Sequence, residues 1–148
     1  MPSWYDFETA DRDLATFGAR RLNGRVAYLA TLREDSAPRV HPVTPIIGEG
    51  RLFLFMEPTS PKVRDLRRDP RYALHCWVEG SDGGEGELFI SGSASFVEDP
   101  ALRASAVRVS SYAPRDRYVL FELSVESAVA TIYDGDKTVR RRWKLAGT

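Results

Sequence analysis

From Gly24 to Lys144 the chain is a succession of short β-prone runs, each closed by turn-forming residues, and this spacing favours a small antiparallel β fold. The runs are 26–32, 39–47, 51–56, 72–78, 87–97, 117–133 (broken near Ser124 to Ser127) and 137–144. Between them stand Arg33-Glu-Asp-Ser-Ala-Pro38, Gly48-Glu-Gly50, Glu79-Gly-Ser-Asp-Gly-Gly-Glu-Gly86 and Asp134-Gly-Asp136, all rich in residues that turn a backbone. Two prolines inside the second run, Pro42 and Pro45, each remove a ladder donor. That strand must therefore be an edge, be bulged, or face something other than a neighbouring strand. Gly92 in the middle of the 87–97 run predicts a bulge or a tight bend.

Helical patterns are few. The spacing of Phe7, Leu14, Phe17 and Leu22 predicts one helix over 6–23, closed by Gly24. Asp99-Pro100 opens a helix to Val109, since Asp caps and Pro suits the first turn. The expected architecture is a single domain, 1–148: an N-terminal helix (1–23), then a mainly β barrel (24–148) of six to seven antiparallel strands with about three short helices.

Composition narrows the function classes. The 148 residues carry 21 Lys plus Arg against 21 Asp plus Glu, so no global basic field calls for nucleic acid. Arg67-Arg68 and Arg140-Arg-Arg142 are short enough to be solvated faces. No apolar stretch approaches 18 residues and the N-terminus has no signal-peptide pattern, so neither a membrane nor export is expected and a cytoplasmic chain is. The single cysteine, Cys76, sits in an apolar run and reads as a buried thiol. No His/Cys cluster has metal-ligand spacing, and no Ser-His-Asp set or carboxylate pair stands out.

The segment from Thr59 to Arg71 carries the functional signal. Thr59 and Ser60 stand where an N-cap belongs, Pro61 begins the helix, and Asp69-Pro70 ends it. Lys62 falls in the first turn, where the helix dipole already places partial positive charge. A cation beside hydroxyls and free backbone N–H groups is accounted for by an anion as the missing partner; the plain alternative is a capped surface helix with a solvated basic face.

Ser60-Pro-Lys62 with Asp69-Pro-Arg71, the strand opening Arg39-Val-His-Pro-Val43, and Gly92-Ser-Ala94 preceded by Glu87 occur in the order and spacing of one known family. The chain resembles the flavin-binding split β-barrel family of pyridoxamine 5'-phosphate oxidase, from about Gly24 to Ala94 and more loosely to Tyr133. The resemblance implies an FMN-dependent oxidoreductase, exchanging a hydride between flavin and a small-molecule substrate. It also implies a homodimer with flavin at the subunit interface. Arg39, Thr59, Ser60 and Lys62 would anchor the phosphate; Val40, His41, Pro42, Val43 and Glu87 would flank the ring. Charge-assisted bonds to a dianionic phosphate are about twice as strong as neutral ones, which suits Lys62 and Arg39 to that role. In such a flavoenzyme the cofactor supplies the redox chemistry and the protein supplies orientation.

Other residues admit two readings. His41 is either near the flavin or a hydrogen-bonded structural histidine, and His75, in an apolar strand, reads as structural. Trp77 and Trp143 suit stacking or core packing. Arg141 and Trp143 are candidates, by position alone, for residues that complete a partner subunit's site. The Arg-x-His pair that grips substrate phosphate in true pyridoxamine phosphate oxidases has no counterpart in Arg140-Arg-Arg-Trp-Lys144, so that substrate is not expected. Two alternatives stand beside the first reading. One is a deazaflavin coenzyme on the same fold, its tail on the basic face Arg64, Arg67 and Arg68. The other is a non-catalytic flavin-binding module.

Overall fold

Ser3 and Asp6 cap each other's backbone N–H groups and open α1 (Trp4–Ala10). The chain, described here by a computed structural model over residues 2–147, then leaves the helix at Asp11, whose φ is −148°. The Asp11 carboxylate accepts from the Leu14 N–H and starts α2 (Arg12–Leu22). The single helix expected over 6–23 is therefore two. An aspartate that caps the second segment interrupts a pattern read as continuous.

The strands follow as β1 (Ala27–Leu32), β2 (Pro38–Val43), β3 (Ile46–Gly48) and β4 (Arg51–Met56). After α3 (Pro61–Arg68) come β5 (Arg71–Cys76), β6 (Glu87–Val97) and α4 (Pro100–Val109), then β7 (Val119–Leu123), β8 (Ser127–Asp134) and β9 (Lys137–Lys144). Seven strands form the path β2-β1-β5-β6-β7-β4-β3, every pair antiparallel; β8 adds to β6, and β9 to β8. The two ends of that path, β2 and β3, are consecutive in the chain, joined by Thr44 and the buried Pro45. One proline-bent segment thus serves both open edges and curls the sheet into a half-barrel. The run read as one strand, 39–47, is divided at Pro45, and Pro42 lies on the edge strand β2, where a missing donor is tolerated.

Gly92 is the second pivot. Residues 87–91 of β6 pair with β8, residues 94–97 pair with β7, and Gly92 lies at the changeover. A Cβ there would stand 2.5 Å from the Ser124 carbonyl oxygen, so only glycine admits the crossing of 124–126.

The concave side is filled by one large cluster. Trp4, Phe7, Leu14 and Leu22 from α1 and α2 pack with Leu29, Leu54, Leu74, Leu88, Ile90 and Phe121 of the sheet. Val63 and Leu66 bring α3 onto the same cluster, while Ala106 of α4 covers a smaller one with Ile46, Phe53 and Leu120. Cys76 is buried, its sulfur accepting from the Leu88 N–H at 3.2 Å. Among the described residues no helix is long and apolar enough to cross a membrane.

Candidate functional site

Side chains of β2 alternate between its two faces, so Arg39, His41 and Val43 point to one side and Val40 and Pro42 to the other. The first set turns toward α3, and its position is set by Asp65. This carboxylate, with 4% of its side chain exposed, accepts from Thr31 Oγ1 at 2.8 Å and from Arg39 Nε at 2.7 Å. Arg68 adds a longer contact at 3.4 Å. Burial alone would push Asp65 up, but hydrogen bonds from Thr31 and Arg39 hold its carboxyl below the usual carboxylate range. Because Asp65 takes only Nε, both terminal nitrogens of Arg39 remain without a hydrogen bond among the described residues.

Lys62 stands at the start of α3, half-buried, its Nζ donating to Ser60 Oγ at 2.8 Å. Burial lowers its pKa, the mark of a cation short of compensating charge. Ser60 is the N-cap, but its hydroxyl makes no cap bond and no acidic residue occupies the first turn. His41 completes the group. Its Nε2 is buried and has no hydrogen-bond partner. Burial first, then the charges of Lys62 and Arg39, lower its pKa and keep the ring neutral. A lysine, an arginine with free terminal nitrogens, an orphaned imidazole nitrogen and a helix N-terminus without a side-chain cap converge. These groups fit an anion with several acceptor oxygens, such as a phosphate monoester.

The expected residues divide accordingly. Arg39, His41, Ser60 and Lys62 come together. Thr59 lies in an exposed turn beside them, closed by Ser60 N–H to the Glu57 carbonyl at 3.0 Å. Val43 packs against the core, and Val40 and Pro42 lie on the outer face, although β2 leaves one backbone edge without a strand partner among the described residues. Glu87 is elsewhere: β1 and β5 intervene between β2 and β6, a separation of about 14 Å at the usual strand spacing. There it accepts from Tyr133 and approaches His75. Trp143 packs on Phe7 with centroids 5.0 Å apart and Arg141 grips Asp11 at 2.7 Å, so both are engaged within their own chain. Asp65 was not legible beforehand, because an acid among Arg64, Arg67 and Arg68 reads as one more solvated charge.

The basic face of α3 also divides. Arg67 stacks over Phe96 at 4.0 Å, whereas Arg64 and Arg68 join Arg33 and Arg39 around an open cleft of about 590 Å³. Glu34 and Asp35 share its rim. The guanidinium groups of Arg33 and Arg64 make no hydrogen bond or ion pair among the described residues.

The model of one protein family, described as pyridoxamine 5'-phosphate oxidase, matches residues 19–131. No curated protein matches the chain in sequence. Among solved structures, a heme-binding protein from Mycobacterium smegmatis is similar at TM-score 0.65 and 22% identity, over 95% of this chain and 58% of that one. This chain thus spans less than two thirds of that protein. A putative 5-nitroimidazole antibiotic resistance protein from Bacteroides thetaiotaomicron has TM-score 0.64 at 11% identity, over 81% and 82% of the two chains. A structure titled F420 reductase has TM-score 0.58 at 18% identity, over 74% and 94%. At these identities the likeness is one of fold.

Proposed function

The chain belongs to the pyridoxamine 5'-phosphate oxidase family, and from that premise we propose that it binds FMN and acts as a flavin-dependent oxidoreductase on a small-molecule substrate. The observation that carries the reading is the convergence of Lys62, Arg39 and the unpartnered His41 Nε2 at the acid-free start of α3. Lys62 and Arg39 would hold the phosphate, His41 and Ser60 would add polar contacts, and the free backbone edge of β2 would face the ring. The flavin would supply hydride chemistry; the protein's part is binding, orientation and exclusion of water.

A homodimer belongs to this reading. Val40 (62% exposed), Tyr28 (40%), Trp77 (42%) and Phe89 (37%) lie on the outer face of one sheet, a broad apolar surface. Its margins are oppositely charged: Arg140, Arg142 and Lys144 on β9 at one side, Glu34 and Asp35 in the β1–β2 turn at the other. A second copy laid across the face by a two-fold axis would bring these margins together.

Arg33 and Arg64 support a second reading, a deazaflavin coenzyme whose additional anionic groups would lie in the cleft beyond the phosphate. Quenching of flavin fluorescence on titration tests the first. FMN should bind the wild-type chain, and Lys62→Ala should lose about ten- to a hundredfold in affinity, the worth of one charge-assisted contact. Unchanged affinity in that variant would remove the phosphate assignment.

A further inference from the structure

The outer sheet face holds a second polar group far from the phosphate cluster. His75 on β5, Glu87 on β6 and Tyr133 on β8 are diagonal neighbours across adjacent strands. The Tyr133 hydroxyl donates to Glu87 Oε2 at 2.5 Å, and His75 Nε2 lies 3.7 Å from Glu87 Oε1. His75 Nδ1 is 2.7 Å from the Cys76 carbonyl oxygen. A carbonyl only accepts, so Nδ1 carries a hydrogen and the mobile proton of this ring is on Nε2. The three side chains line a cleft of about 610 Å³ with Val78, Gly80, Ser81, Asp82 and Gly83.

The cleft is held in shape from behind. Arg21, 2% exposed, donates to the carbonyls of Trp77 at 2.8 Å and Gly86 at 3.0 Å and to Glu85 at 3.1 Å, tying both ends of the 78–85 loop to α2. At the loop's tip Gly83 has φ +89°, and a Cβ there would overlap the Tyr133 ring. The loop therefore lies directly on the phenol whose hydroxyl orients Glu87.

We propose that this cleft is a ligand subsite, in which His75 Nε2–H, beside the Glu87 carboxylate that Tyr133 orients, donates a hydrogen bond to the carbonyl oxygen of a small uncharged molecule. The carboxylates of Glu87 and Asp82 at the cleft disfavour an anionic ligand. The groups facing His75 are Tyr28 from β1, Phe89 and Glu87 from β6, Cys76 beside it and Asp82 across the cleft, with Arg140 of β9 near Tyr133. The Cys76 sulfur and carbonyl, with Glu87 adding its charge, push the imidazole up to about 9, so the proton is present at neutral pH.

The test uses the cofactor-free chain, whose two histidines allow side-chain ¹⁵N spectra to be assigned with a His41→Gln variant. Cyclohexanone is the probe. Expected are a protonated His75 at pH 7.5, a saturable shift of its Nε2 with cyclohexanone, and a several-fold weaker response in Glu87→Gln and Tyr133→Phe. Lys62→Ala should respond as wild type, so a protein that ignores FMN yet shows the His75 response supports the subsite while removing the cofactor reading. A neutral His75 at that pH, no response to the probe, or an equal response in Glu87→Gln would each overturn the proposal. Circular dichroism of each variant separates loss of the subsite from loss of the fold.

Discussion

Asp65 is a buried carboxylate whose removal of one partner has a calculable consequence. Replacing Arg39 by Ala leaves it with Thr31 and the longer Arg68 contact only. Breaking a buried pair from one side costs about 3–5 kcal/mol, and the remaining partners place Arg39→Ala at about 3 kcal/mol or less, measurable by urea unfolding. An unchanged unfolding midpoint would show that Arg39 is not held as described. His75 makes a pH prediction of the opposite kind to a carboxylate. Its folded pKa, about 9, lies above its ordinary value of 6.5, so its contribution to stability is full below 6.5 and is lost as pH rises through 9. Unfolding free energy should fall across that window in the wild type, and the fall should shrink in His75→Gln. Arg39, Ser60 and Lys62 were singled out together from motif spacing, and His41 as a neighbour of the same group. The geometry that makes them one site was not legible, because Asp65 acts through burial and three hydrogen bonds that no local pattern announces. His75 stands in an apolar run, and alternation in β5 does not say which face meets solvent.

Among the elements, the pivots matter more than the strands. Gly92 sits where β6 exchanges β8 for β7, and Gly92→Ala would press a methyl group against the Ser124 carbonyl. Overpacking of this sort costs about 1–3 kcal/mol, so the variant should unfold at lower urea with an unchanged m-value. A variant as stable as wild type would mean that the 124–126 crossing has room to shift. The bend at Gly92 was readable from glycine chemistry, the edge position was one of three arrangements the prolines of the 39–47 run allowed, and the break near Ser124 falls where it was expected. The extra helix boundary at Asp11 and the separate β3 were not. An aspartate cap inside an apolar pattern, and a three-residue strand after Pro45, each leave too little periodic signal to separate from their neighbours.

At the scale of the whole molecule, the split sheet presents two surfaces with different chemistry. Between β2 and α3 lies the cluster of Arg39, His41, Ser60 and Lys62; on the outer face lies the apolar sheet surface with the His75 cleft at one side. If a second copy covers that outer face, Tyr28→Glu or Trp77→Glu would bury unpaired charge in the interface. Sedimentation should then give a dimer for wild type and a monomer for either variant, and a wild-type monomer would set the dimer aside. The function proposed above needs the start of α3 to recognise the phosphate of a flavin. Parallel titrations with FMN and with riboflavin, which differ by that phosphate alone, test it most directly. FMN should bind about a hundredfold more tightly than riboflavin, about 2.7 kcal/mol, and Lys62→Ala should remove most of the difference. Equal affinity for the two flavins, or binding of neither, would contradict it.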